Sequence, residues 1–267
     1  MFVDSHCHLS FPELHDRLPE LRREMAAAGV DRALCICTTL EEFERVHALA
    51  LAHDNFWCTV GVHPDNEGVQ EPGVDDLVAR ACLPRVVALG ETGLDYYRLA
   101  GRSLAQMEWQ RDRFRVHIRA ARATGLPLVV HTRSASADTL ALLRDEGQGD
   151  VRGVFHCFTE TLEVAAAALD LGFEISFSGI LTFRNAEELR AVARFVPLER
   201  CLIETDSPYL APMPYRGKTN HPALVHYVAA KLAELKGLPV ADVARTTSAN
   251  FERLFNLAPL PAALERT

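Results

Sequence analysis

Short runs rich in β-branched and aliphatic residues alternate with helical patterns along this chain, and few folds accept that order. The runs lie near residues 2–7, 31–37, 56–62, 86–91, 127–131, 152–156, 173–177 and 201–205. Between them stand stretches such as Glu41-Glu-Phe-Glu-Arg-Val-His-Ala-Leu-Ala50, apolar at i, i+3 and i+4 as one buried helix face requires. Helices are predicted near 20–29, 41–53, 73–82, 104–124, 136–146, 161–171, 185–194, 221–236 and 240–255. Gly29, Gly125 and Gly172 each separate a helical pattern from the next strand, where a helix ends on a residue free to turn left-handed. A strand that is followed by a helix rejoins its sheet in parallel, so eight such units imply a parallel sheet. Closing that sheet takes roughly 250 residues. The chain has 267, with no Pro/Gly/Ser linker, charge block or sequence repeat to split them. The expectation is a single α/β domain over 1–267, a TIM-type (β/α)8 barrel with a core of about 2–257 and a short C-terminal tail. An open doubly wound sheet is the alternative.

Five of the runs lead into residues that bind metals. The first delivers His6 and His8, whose i, i+2 spacing on a strand puts both rings on one face. Later runs deliver Glu91, His131, His156 and Asp206. None of these residues stands at the start of a run, and in a closed barrel the C-terminal strand ends share one mouth. An open sheet would spread them. Imidazole with carboxylate suits zinc, manganese or iron, and magnesium where carboxylate and water dominate. Six donors suggest two divalent ions (Zn, Mg or Mn), with His6, His8 and Asp206 on one, His131 and His156 on the other, and Glu91 bridging. Two cations about 3.5–4 Å apart can hold a hydroxide and clamp an in-line displacement. Asp206 would stand beside the attacking water and could take its proton, which makes Glu91 and Asp206 the catalytic carboxylates. Glu204 shares the face of Asp206 and is expected to accept a hydrogen bond behind the ligands. Asp4 stands in the same relation to His6 and is expected to orient a ring. His15, His47, His53, His117 and His226 read as surface or packing residues; His221, before Pro222, is open.

A formal net charge of −8 argues against a broad basic surface for nucleic acid, though not against a local basic patch. The seven cysteines form no CxxC pair, and several sit in apolar runs, as reduced buried thiols do. No apolar run approaches the ~20 residues of a membrane helix, and the apolar opening is too short for a secretion signal. A cytoplasmic protein without membrane contact is expected, and a monomer suffices.

The residues also carry a resemblance. Phe2-Val-Asp-Ser-His-Cys-His-Leu9, Gly61-Val-His-Pro64 and Gly90-Glu-Thr-Gly-Leu-Asp-Tyr-Tyr97 are followed by Pro127-Leu-Val-Val-His-Thr-Arg-Ser-Ala135 and His156-Cys-Phe158. Glu204-Thr-Asp-Ser-Pro-Tyr-Leu-Ala-Pro212 and Arg216-Gly-Lys-Thr-Asn220 complete the set. In this order, over about residues 2–255, the chain resembles the TatD family of metal-dependent hydrolases within the amidohydrolase-like barrels. The resemblance implies a TIM-type barrel, a two-metal centre and hydrolase activity commonly described as deoxyribonuclease. Its metal ligands map onto His6, His8, Glu91, His131, His156 and Asp206. Ser10 and Asp65 depart from the pattern, where the family often has an acidic or amide residue and a second histidine; neither is a ligand.

The loops after the strands carry His63, Arg133, Tyr209, Arg216, Lys218 and Asn220, donors suited to phosphate oxygens. No interleaving of aromatic and basic residues marks a long single-strand groove. The expected partner is therefore DNA or another phosphodiester, gripped locally, which favours an exonuclease-like deoxyribonuclease. A hydrolase of C–N or carboxyl-ester bonds, such as a cyclic amide or aminoacyl ester, is the alternative, since the same nucleophile attacks a carbonyl. A non-catalytic metabolite-binding barrel is disfavoured by the full ligand set.

Overall fold

A computed structural model of the chain describes residues 1–258. Eight parallel strands follow one another in chain order round a single sheet: β1 (Phe2–Cys7), β2 (Val30–Cys35), β3 (Phe56–Val60), β4 (Val86–Asp95), β5 (Leu128–Arg133), β6 (Gly153–Phe155), β7 (Glu174–Phe177) and β8 (Cys201–Ile203). The segment after β8 returns to β1. The Asp206 N–H donates to His6 O at 3.0 Å, and the His8 N–H donates to Ser207 O at 2.8 Å. The sheet is thus a nearly closed barrel of the TIM type, as expected, and not an open doubly wound sheet.

Ten α-helices pack on it among the described residues: α1 (Pro12–His15), α2 (Leu18–Ala27), α3 (Phe43–Leu51), α4 (Val74–Ala81), α5 (Glu108–Thr124), α6 (Ser136–Gly147), α7 (Leu162–Asp170), α8 (Glu187–Phe195), α9 (Val225–Lys236) and α10 (Val240–Leu254). The predicted helix over 104–124 begins as a 3-10 turn at Leu104–Met107, and α1 is an additional short turn. The predicted C-terminal tail lies almost wholly outside the described residues. Among those described, no helix is long and apolar enough to cross a membrane.

The period-2 pattern of each strand sorts its side chains into two cores. Leu128 and Val130 of β5 join the large cluster between sheet and helices. Val129 joins a second cluster with Leu34, Trp57, Val87, Val154 and Leu202. Residues from six different strands can meet only inside the barrel. Phe251, Leu254 and Phe255 at the end of α10 complete that inner cluster. Val87, Val129, Val154 and Leu202 precede the ligand-type residues that follow on their strands, so α10 plugs the N-terminal end and the polar residues occupy the other. All seven cysteines are free thiols.

β4 corrects the sequence reading most. Its predicted end at Glu91 is the middle of a ten-residue strand that continues to Asp95. The register against β5 shifts between Leu89 and Thr92. Gly90 and Gly93 flank this irregularity with φ of +148° and +129°, conformations that side chains rarely adopt. A bulge of this kind re-aims a side chain without ending the strand. Here it turns Glu91 inward and leaves room for four more residues.

Candidate metal centre

Glu91 lies at the middle of the inner mouth, and its two oxygens face different groups. Oε2 stands 3.3 Å from His6 Nε2 and 4.0 Å from His8 Nε2. Oε1 stands 2.8 Å from His156 Nε2, 3.2 Å from His131 Nδ1 and 3.2 Å from His63 Nε2. Asp206 closes the first group, with Oδ1 at 3.5 Å from Nε2 of both His6 and His8. All six predicted ligand residues therefore converge. Three sets draw their donor atoms within 4.8 Å of one another: His6, His8 and Glu91; His6, His156 and Asp206; and His63, Glu91 and His131.

Burial and charge make this a site that calls for a cation. His6 is fully buried, and neither of its ring nitrogens has a hydrogen-bond partner among the described residues. Unpaired buried nitrogens cost free energy unless something else satisfies them. Burial holds the His6 imidazole below its ordinary pKa of 6.5, in the neutral form that coordinates metals. Burial alone would raise the Glu91 carboxyl, but His156, His63 and His131 overturn that and hold it well below the carboxylate range. Burial likewise opposes charge on His156, yet Glu91 and Glu204 hold it well above the usual range. A cluster in which carboxylates must otherwise draw protons onto imidazoles fits divalent metal.

The supports behind the ligands differ from expectation in part. Glu204 is fully buried, with Oε1 at 3.4 Å from His156 Nδ1 and accepting the Cys157 N–H at 2.7 Å. That is the expected acceptor behind the ligands. Asp4 orients no ring. Its carboxylate accepts the Thr205 N–H at 2.9 Å, the Thr205 hydroxyl and the His6 N–H at 3.3 Å. Lying two residues before His6 on β1, it ties β1 to the segment carrying Asp206. Burial pushes its pKa up to about 8. Asp95 was missed by sequence reasoning. Its Oδ2 stands 3.0 Å from His131 Nε2 and so aims Nδ1 at Glu91. Asp95 lies beyond Glu91, where the sequence reading ended the strand; only the continuation of β4 past the bulge makes the link visible.

The predicted substrate donors separate into three groups. Arg133, Tyr209 and His63 line a cleft of about 800 Å³ that opens over the centre, together with Arg98, Phe11 and Ile180. His63 also reaches the centre itself. Its Nδ1 accepts the Asp65 N–H at 3.0 Å, so a neutral ring keeps its hydrogen on Nε2 and donates to Glu91. Arg216 stacks over Phe183 at 4.3 Å, and Lys218 lies over Tyr215 at 5.6 Å; neither lines the cleft. Asn220 is fully buried and spends its amide on Thr205 O at 2.8 Å and Tyr209 O at 2.7 Å. It holds the turn after Asp206 in place of meeting a ligand.

Comparison with known proteins agrees with this geometry. A family model described as TatD related DNase matches residues 3–256. The metal-dependent hydrolase YcfH of Escherichia coli K12 is 49% identical over 259 residues, covering 96% of each chain. A protein of Citrobacter koseri named 3′-5′ ssDNA/RNA exonuclease TatD is 37% identical over 238 residues, 87% of this chain and 90% of that one. The crystal structure of YJJV, a TatD homolog from E. coli K12, superposes with a TM-score of 0.87 at 28% identity, over 96% of this chain and 98% of that one.

Proposed function

The chain belongs to the family of TatD-related DNases, metal-dependent hydrolases, and from that premise we propose that it is a two-metal deoxyribonuclease of exonuclease-like action. The observation that carries this reading is the placement of the two Glu91 oxygens. One oxygen faces His6 and His8, the other faces His131 and His156. A single carboxylate so placed can serve two cations, with Asp206 completing the first set. When bound, such a pair supplies Lewis acidity and a nucleophile available at neutral pH. The protein's own groups do the rest. Asp206 turns Oδ1 to His6 and His8 and keeps its second oxygen for a proton. Asp95 and Glu204 hold the rings of His131 and His156. Arg133, exposed two residues beyond His131 in the same cleft, offers a guanidinium fork to a phosphate.

A phosphodiester is favoured over a carbonyl substrate by Arg98 and Arg133 in the cleft. The exonuclease name of the C. koseri relative points the same way. The test is a hydrolysis panel on metal-stripped protein reloaded with Zn, Mg or Mn. It includes single- and double-stranded DNA, RNA, an aminoacyl ester and a cyclic amide. DNA should be cut, and Asp206→Asn should abolish cutting while the barrel stays folded by circular dichroism. Turnover confined to the ester or the amide would overturn the proposal, as would a folded Asp206→Asn enzyme with near-normal rates.

A further inference from the structure

The cleft over the centre has two chemically unlike walls. In a ring of eight strands, β8 and β1 stand opposite β4 and β5. The segments after β4 and at the end of β5 contribute Arg98 and Arg133. The segments after β1, β7 and β8 contribute Phe11, Ile180, Tyr209 and Leu210. One wall carries two arginines beside Asp95 and the other is aromatic and aliphatic, with Glu91, Asp206 and the imidazoles between them.

Tyr209 is 56% exposed, although its backbone is firmly held. Its N–H donates to Asp206 O at 3.0 Å, and its carbonyl accepts from the buried Asn220 amide. A rigid turn thus presents a large ring to solvent, and its hydroxyl has no hydrogen-bond partner among the described residues. The ring lies 6.4 Å from the His8 ring, and Phe11 stacks on His8 at 4.7 Å and 22°. The aromatic wall therefore begins at the centre itself. Tyr97, also exposed, does not offer an equivalent surface, because the Arg133 guanidinium covers its ring at 3.6 Å.

We propose that the wall formed by Tyr209 and Phe11 is a base-stacking subsite, which receives the terminal nucleobase while Arg133 takes a phosphate from across the cleft. This rests on the phosphodiesterase reading and makes it narrower. A base can lie on an aromatic ring only after leaving its own stack and its pairing partner, so the subsite selects unpaired strand ends. Stacking uses the π-face that every base has, so little sequence preference follows.

Metal-loaded wild type, Tyr209→Phe and Tyr209→Leu are compared on a short single-stranded DNA and on the same DNA with abasic residues at both ends. Tyr209→Leu should raise KM on the ordinary strand by roughly 5- to 150-fold, the weight of one base–aromatic stack. Tyr209→Phe should stay within about twofold of wild type, because phenylalanine keeps the π-face. On the abasic strand wild type should lose the same factor, and Tyr209→Leu should lose nothing further. A 2-aminopurine at the terminus, next to a slowly cut phosphorothioate, should be quenched by wild type and Tyr209→Phe but not by Tyr209→Leu. Unchanged KM and unchanged quenching in a folded Tyr209→Leu protein would overturn the subsite alone. So would equal losses on ordinary and abasic strands. Wild type inert toward every oligonucleotide would overturn the phosphodiesterase reading and the subsite with it.

Discussion

His131 and His156 are each backed by a carboxylate, Asp95 and Glu204. Asp95 is the clearest case. It fixes which nitrogen of His131 faces the centre, and supports of this kind typically change metal affinity or activity by about 10- to 100-fold when removed. Asp95→Asn keeps the size but offers a weaker acceptor, so metal titration should show affinity weakened within that range in a protein of normal stability. Unaltered affinity would mean that His131 needs no orienting partner. His117 shows the opposite case, a histidine with a purely architectural task. Its Nε2 accepts the Val62 N–H at 3.1 Å, and Nδ1 donates to Arg113 O at 2.8 Å. Burial lowers its pKa from 6.5 to about 4. The unfolded chain therefore binds a proton between those values that the folded chain refuses. Its contribution is complete above pH 6.5 and is lost as pH falls toward 4, on the order of 3 kcal/mol by linkage. In urea melts, wild type should lose more stability between pH 6.5 and 4.5 than His117→Gln, whose side chain cannot titrate. Parallel losses in the two proteins would refute it.

At the level of elements, the approach of β4 to β5 sets the distance between Glu91 and His131. A Cβ on Gly93 would lie 1.9 Å from His131 O, inside any contact distance. Gly93→Ala must therefore push the strands apart, and it should lose metal and several kcal/mol of stability together, as overpacked backbone contacts do. Gly68→Ala is the control. Its φ of +72° strains an alanine, but nothing lies within 4 Å. It should cost about 1 kcal/mol and leave activity intact. Denaturant midpoints and metal content on the two variants decide the matter; a Gly93→Ala protein with full metal content would show that the strands tolerate separation. The same element explains what the sequence made legible. Apolar periodicity is a local property, and it located all eight strands and, apart from α1, the helices to within a few residues, with the strand ends meeting at one mouth. The six convergent residues were readable for that reason. Asp95 and the true task of Asp4 were not, because a bulge that prolongs β4 and a partner 201 positions away in the chain, Thr205, leave no periodic trace. Asn220 looked like a loop donor because its burial depends on the folding of the turn 11 to 15 residues before it. The wall of Phe11 and Tyr209 brings together residues 198 positions apart, which no spacing argument can join.

Over the whole molecule, the centre and the plug stand at opposite ends of one barrel, and this separates two sources of stability. The centre draws donors from β1, β4, β5, β6 and the segment after β8, so a cation held there links strands from almost the entire circumference. An unfolded chain cannot assemble that set, and ligand binding to the folded state alone stabilises it by about 2.7 kcal/mol at a hundredfold excess over Kd. For a chain of this size that corresponds to roughly 5–10 °C in Tm. Chelation of the loaded protein should lower Tm by that amount, and Glu91→Gln should show a smaller shift because an amide bridges cations poorly. Phe251, by contrast, fills the inner cluster from α10 and stacks near Trp57 at 6.2 Å. Phe251→Ala should cost about 3–5 kcal/mol through the cavity it leaves. Since the inner cluster and the centre lie at opposite ends of the barrel, the costs should add. Phe251→Ala should then melt lower than wild type both with and without metal, with the metal-dependent increment unchanged. Scanning calorimetry on the four states gives the answer. An identical Tm for loaded and chelated wild type would mean that no cation bridges these strands. An increment that disappears in Phe251→Ala would mean that plug and centre are one cooperative unit.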